Sequence, residues 1–211
     1  MASRIGVDIG GTFTDFILYN EKDNSITIDK IPTTPEEPQK AVIEVVKRNL
    51  SSETIKDIEF FLHGTTVGLN ALLERKGSKV GMLCTKGFRD VIEIRRGDRD
   101  EMYNLFWQPS EPLVPRYLRL ELNERMFANG NIHTALNEEE VKKACKFFIE
   151  EGVSSIAVCL INAYANNEHE KKIENFLRNF GFKGYISLSS VVSGEYREYE
   201  RTTTTVIDSF V

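Results

Sequence analysis

A chain of 211 residues that is 41% hydrophobic and 28% charged has the composition of an ordinary globular protein, long enough for one or two domains with a sizeable core. Its formal net charge of −5 gives no general reason to expect nucleic acid or an acidic membrane as a partner. The apolar run 156–161 is far short of a membrane span and no signal peptide is visible, so a cytoplasmic protein is expected. Cys84, Cys145 and Cys159 form no Cys-x-x-Cys pair and are read as small core hydrophobes. His63, His133 and His169 lack ligand spacing, which argues against a dedicated zinc site.

Residues 4–9 form a short apolar strand that runs into Gly10, Gly11, Thr12 and Thr14, with Asp8 before them and Asp15 after. Phe13 and residues 15–19 read as a second strand, so the glycines close a β-hairpin; a Walker loop or dinucleotide fingerprint would lead into a helix. Glycine lacks a Cβ, so the turn is predicted to take φ > 0 and to point its N–H groups at an anion. Thr12 and Thr14 add hydroxyl donors, Asp8 is placed to hold Mg²⁺ or its water shell, and Asp15 either does the same or orients a nucleophile. A third strand is expected at 25–30. Thr34-Pro-Glu-Glu37 reads as a capping box with Pro35 at the first helical position, and Ala41, Val42, Val45, Val46 and Leu50 recur at helical spacing. A fourth strand, 58–62, ends at His63-Gly64-Thr65-Thr66. That turn is either an anion site or a structural cap with His63 simply packed, and Asn70 either binds a substrate carbonyl or satisfies a backbone group. A helix through 70–74 and a fifth strand at 79–84 complete the order β-β-β-α-β-α-β over residues 1–86, that of an RNase H-like module.

A second α/β element is expected over 87–190. It opens with an irregular loop, 88–115, in which Arg95 or Arg96 either contacts a ligand or pairs locally. A strand at 117–122 and an Asn129-Gly130 hairpin turn follow. The next helix starts at Asn137, buries Val141, Ala144, Cys145 and Phe148, and ends at Gly152. A continuous apolar strand at 155–161 precedes a helix from Asn167, with Glu170 placed to complete a capping box and His169 read as a core histidine. A last strand lies at 185–188. Residues 191–211 read as the start of a linker or helix into a further domain, with Arg201 either lining that boundary or pairing with Glu198 or Glu200; the segment stops without a cap, as a chain that continues elsewhere would.

Asp8-Ile-Gly-Gly-Thr-Phe-Thr-Asp15 resembles the first phosphate motif of the actin, Hsp70 and sugar-kinase superfamily of ATPases. Together with 63–77, Gly87-Phe-Arg-Asp90, Asn123-Glu-Arg125, Asn167-Glu-His-Glu170 and Arg197-Glu-Tyr-Glu-Arg201, in that order, it is similar to the N-terminal region of the hydantoinase A, 5-oxoprolinase and acetone carboxylase β-subunit family. Leu69 departs from the family's usual Thr. The resemblance implies an α/β fold, an RNase H-like (actin-like ATPase) module with a second α/β element, and an enzyme that uses ATP and Mg²⁺. Its substrate would be a cyclic amide, or a small ketone with bicarbonate, whose carbonyl or enol oxygen is activated by phosphorylation. It also implies Asp8 and Asp15 as catalytic carboxylates, Asp8 as the metal ligand, and Gly10, Gly11, Thr12 and Thr14 as phosphate residues. His63, Gly64, Thr65, Thr66, Asn70 and Arg95 are candidates for the substrate side. A downstream domain and a second subunit are the expected partners, because no second phosphate motif or adenosine pocket is visible; this chain alone is expected to turn over little or no ATP. A sugar or acyl kinase of the same fold and a non-catalytic fragment are the alternatives.

Overall fold

The computed structural model describes residues 3–34, 37–51 and 55–211, which form two units, Met1–Glu74 and Arg75–Val211. In the first, strands β1 (Ser3–Ile9), β2 (Phe13–Asn20) and β3 (Ser25–Pro32) make an antiparallel meander. Helix α1 (Pro38–Asn49) then carries the chain across the sheet, so that β4 (Ile58–Thr65) pairs parallel with β1 and the order is β3-β2-β1-β4. Alternation puts Ile5, Val7, Ile9, Phe16, Leu18 and Ile31 on one face, where Ala41, Val45 and Leu50 cover them. A short helix, α2 (Val67–Leu73), leaves the end of β4.

Helix α1 begins later than its capping-box reading predicts. Pro38 opens it, after Glu37 at the N-cap, and the Thr34 hydroxyl donates to the Glu37 carbonyl instead of capping N–H groups (2.7 Å). A proline fits that position because the missing N–H would have no intrahelical partner. Pro35 and Glu36 of the expected box lie outside the described residues.

The second unit is built on a parallel sheet, β10 (Tyr185–Leu188), β9 (Ser155–Cys159), β5 (Val80–Thr85) and β6 (Arg119–Leu122), in that spatial order. Strand β5, expected as the fifth strand of the first sheet, belongs here. All six of its residues are buried, which demands cover on both faces and a strand on each edge. Helix α3 (Val91–Ile94) interrupts the expected loop, and a 3-10 turn at Arg116–Leu118 leads into β6. The Asn-Gly turn joins β7 (Arg125–Met126) to β8 (Ile132–Thr134), with Gly130 at φ 83°. Helix α4 (Glu138–Glu150) is capped by the Asn137 side chain, which accepts from Glu139 N at 3.0 Å. It is followed by α5 (Glu168–Asn179), α6 (Ser189–Val192) and α7 (Glu198–Phe210).

One expectation is corrected: Glu170 does not cap α5 but is fully buried and accepts from Leu160 N, Ser190 N and the Ser189 hydroxyl, because the strand ends beside it have donors to satisfy. The segment read as the start of a linker or helix contains α7, which packs against β9 and β10 and buries Val206 and Phe210. No helix among the described residues is long and apolar enough to cross a membrane.

Candidate functional site

The β1–β2 turn consists of Gly10, Gly11 and Thr12, closed by a hydrogen bond from Gly10 N to Phe13 O at 2.9 Å. Neither glycine lies at positive φ, so the sequence-based reason for them is corrected. What crowds a side chain there is close approach, of backbone at Gly10 and of a movable side chain at Gly11. A Cβ on Gly10 would stand 3.0 Å from Phe13 O, and one on Gly11 would stand 2.8 Å from Asn70 Nδ2. The turn is braced from behind, where the fully buried Thr14 hydroxyl meets Thr33 Oγ1 at 2.9 Å and Thr33 donates to Gly10 O at 2.9 Å. Thr14 therefore positions the turn from the core side. The Gly11 and Thr12 N–H groups and the Thr12 hydroxyl have no partner among the described residues, and both residues are exposed.

Strand register places the carboxylates. Asp8 is opposite Asp15 on β2 and Gly64 on β4, and Asp15 is opposite Lys30 on β3, so the four form a row across one face. Lys30 Nζ lies 2.9 Å from Asp15 Oδ1, while Asp8 carries no ion pair or hydrogen bond among the described residues. A Cβ on Gly64 would stand 2.9 Å from Asp8 Oδ1. The row borders a shallow depression of about 340 Å³, floored by Gly6, Ile17 and Leu62. Lys30 and Thr33 escaped the sequence reading, although counting back from the 20–24 turn pairs residues 15 and 30.

The His63–Thr66 stretch divides between two faces. Gly64 sits beside Asp8, whereas His63 and Thr65 share the face of Val7 and Ile9, where His63 lines a groove of about 490 Å³ with Val42, Ile43 and Phe61. Thr66 N donates to Ile9 O at 3.1 Å, and Asn70 Nδ2 reaches Thr66 Oγ1 at 3.3 Å, so Thr66 and Asn70 do stand at the glycine turn. The Thr65 hydroxyl accepts from Val67 N at 3.2 Å. Arg95 lies in the second unit.

In that unit, the other motifs converge on a buried polar network at the carboxyl ends of β5, β9 and β10. Glu124 Oε2 is 2.7 Å from His169 Nδ1 and its other oxygen accepts from the Thr85 hydroxyl, which itself accepts from Ile161 N at 3.0 Å. Arg201 donates to Leu160 O at 2.8 Å, to Ser189 Oγ at 3.1 Å and to Glu195 O at 2.5 Å. It pairs with neither Glu198 nor Glu200. Every one of these groups is buried and hydrogen-bonded, which is how charge is tolerated in a core. The three thiols are buried as well, and desolvation, with the Glu121 carboxylate adding to it, pushes Cys84 up to about 12. A thiol so protonated is no nucleophile at neutral pH.

A family model described as the hydantoinase/oxoprolinase N-terminal region matches residues 4–181. The caprolactamase alpha subunit of Pseudomonas jessenii is 34% identical over 216 residues, 99% of this chain and 31% of that protein. The acetophenone carboxylase gamma subunit of Aromatoleum aromaticum is 34% identical over 229 residues, again 99% of this chain and 31% of the relative. The crystal structure of the ATP-dependent caprolactamase of P. jessenii superposes with a TM-score of 0.85 at 33% identity, over 99% of this chain and 31% of that one. The chain therefore spans just under a third, 31%, of the length of these relatives.

Proposed function

This chain belongs to the hydantoinase/oxoprolinase family, whose N-terminal region it matches, and on that premise we propose that it is the phosphate-binding part of an ATP-dependent enzyme that activates a cyclic-amide carbonyl oxygen by phosphorylation. The observation that carries the reading is an unengaged carboxylate, Asp8, at the end of the strand that runs into a glycine turn whose Gly11 and Thr12 N–H groups have no partner among the described residues. Free amides and a hydroxyl suit phosphate oxygens, and a carboxylate beside them suits a hard divalent cation.

ATP with Mg²⁺ fits this donor set and would supply a transferable phosphoryl group whose charge is partly neutralised. Gly11, Thr12 and the Thr12 hydroxyl would hold phosphate oxygens, and Asp8 the cation. Asp15, tied to Lys30, keeps a negative charge from crowding the turn and holds a cation near it. Gly64 leaves Asp8 Oδ1 room to reach solvent. Thr14 and Thr33 fix the turn before anything binds, so little reorganisation remains at the moment of reaction.

A second reading, an acetone-type carboxylase subunit, is favoured by a specific finding: the acetophenone carboxylase subunit is as similar to this chain as the caprolactamase subunit is. Substrate-dependent ADP release decides between them. The longest native form of the protein, with whatever co-purifies, is assayed with Mg²⁺ and, in turn, hydantoin, 5-oxoproline, acetone with bicarbonate, and a hexose. ADP formed with a cyclic amide, and lost by at least about a hundredfold in Asp8→Ala, is the expected result. ADP formed only with the ketone, or only with the hexose, replaces the reading; full activity in Asp8→Ala removes Asp8 from it.

A further inference from the structure

The second unit holds a cavity of about 270 Å³ between α3 and α7, with Ile92, Leu113, Val206 and Tyr199 among its walls and Arg95, Ser110, Glu111 and Thr203 as its polar lining. That is near the lower end of the roughly 300–1,000 Å³ of small-molecule sites, and its mix of apolar wall and few polar groups is typical of them.

Of the polar lining, Arg95 and Thr203 have no side-chain partner among the described residues. The Arg95 side chain makes no hydrogen bond or ion pair among the described residues, whereas its neighbour Arg96 is bonded to the Glu200 carboxylate, with Nε at 2.9 Å, and lies 6.0 Å from the Tyr199 ring centre. Two consecutive arginines thus diverge, one to anchor α7 and one to face the cavity. Along α7, Thr204 donates to Glu200 O at 2.8 Å and Thr205 to Arg201 O at 2.7 Å, the usual back-bond of a helical threonine. Thr203, on the same helix, has its hydroxyl oxygen buried with no partner. A buried hydroxyl left without a partner is destabilising, which a ligand would relieve.

The backbone at Arg95 supports the same conclusion. It lies at φ 59°, ψ −134°, a region populated almost only by glycine and strained for other residues. Glycine stands nearby at position 97, also at positive φ, so a glycine is tolerated in this turn while an arginine occupies the strained position.

We propose that this cavity binds a small organic carboxylate, its carboxylate on the Arg95 guanidinium and the Thr203 hydroxyl, and its apolar body against Ile92, Leu113, Val206 and Tyr199. A planar guanidinium fork matches a carboxylate in two parallel bonds. Glu111, at the mouth, is exposed, so solvent screens its charge. The assignment stands apart from the phosphate site of the first unit and does not depend on it.

The test is an NMR titration of the 211-residue chain with 5-oxoproline and with benzoate, each set against its uncharged counterpart, 2-pyrrolidinone and benzamide. At least one carboxylate shifts the amide signals of residues 92–96, 110–113 and 199–206, at least tenfold more tightly than its counterpart. Arg95→Gly relieves the backbone strain, so it keeps the fold and loses carboxylate binding at least tenfold. Thr203→Val, nearly isosteric, weakens it severalfold with an unchanged spectrum elsewhere. No carboxylate shifting these signals, equal binding of the uncharged counterparts, or binding that survives both substitutions overturns the proposal.

Discussion

Gly64 and Asp8 make a pair that only strand register reveals. A Cβ at Gly64 would come within 2.9 Å of Asp8 Oδ1, and the carboxylate has no other partner to hold it in place, so it would swing aside. Gly64→Ala is expected to leave the fold intact, because the residue is exposed and not at positive φ. It should lower substrate-dependent ADP release by the longest native form by roughly tenfold or more, the usual consequence of misplacing a group by an ångström. Unchanged ADP release with an unchanged circular dichroism spectrum would detach Gly64 from the site. The residue types of this turn were legible in the sequence: two glycines between strands, flanked by threonine and aspartate, point to an anion cradle. Their physical reason was not, since neither glycine is at positive φ and it is the approach of the Phe13 carbonyl that crowds a Cβ at Gly10. Thr14 and Thr12 look alike in the sequence and share the same parity, yet Thr14 lies in β2 and is buried while Thr12 lies in the turn before it and is exposed, a difference that alternation alone does not show.

At the scale of elements, periodicity found the strands and most helices of the second unit because α4, α5, β5 and β9 bury residues at the spacing their type requires. Which sheet β5 joins was hidden, since order along the chain does not say which strands pair. Whether 191–211 is linker or helix was left open, since its run of threonines is a poor helix former; tertiary burial of Arg201, Thr202, Thr205 and Phe210 accompanies the helix that forms. These buried elements predict a pH dependence. Burial raises all three thiols above their ordinary 9.0, Cys84 to about 12, with Cys145 and Cys159 also shifted upward. A group whose folded pKa exceeds its unfolded one stabilises the fold fully below the unfolded value and loses that contribution as pH climbs towards the folded one. Unfolding free energy should therefore fall above pH 9, by up to about 1.4 kcal/mol per pH unit for each such thiol. Urea denaturation at pH 7.5, 9 and 10.5 reads this, and Cys84→Ala should flatten part of the decline; an equal slope in the variant removes Cys84 from it.

Across the whole molecule the two units differ in how completely they are buried. In the second, β5 and β9 are central strands with every residue buried. In the first, β4 pairs only with β1, has no fully buried residue, and exposes Phe60, Phe61 and Leu62 by 47%, 50% and 65%. Strand β3, at the other edge, buries only Ile31. Apolar burial of about 25 cal/mol per Å² is what holds a strand in place, so the edge strands of the first unit open at lower free energy than the centre of the second. Hydrogen exchange on the 211-residue chain should rank the amides accordingly: β5 and β9 most protected, β1 and β2 intermediate, and β3 and β4 weakest, by at least about two orders of magnitude between extremes. The glycine turn lies between β1 and β2, so it would sit on the intermediate class, firm enough to hold its geometry while β4 and its glycine at position 64 move beside it. Protection of β4 equal to that of β9 would contradict this ordering and mean that the exposed apolar residues of β4 are covered in solution. In that case the same measurement at several protein concentrations separates cover by a second copy, which is lost on dilution, from cover within one chain, which is not.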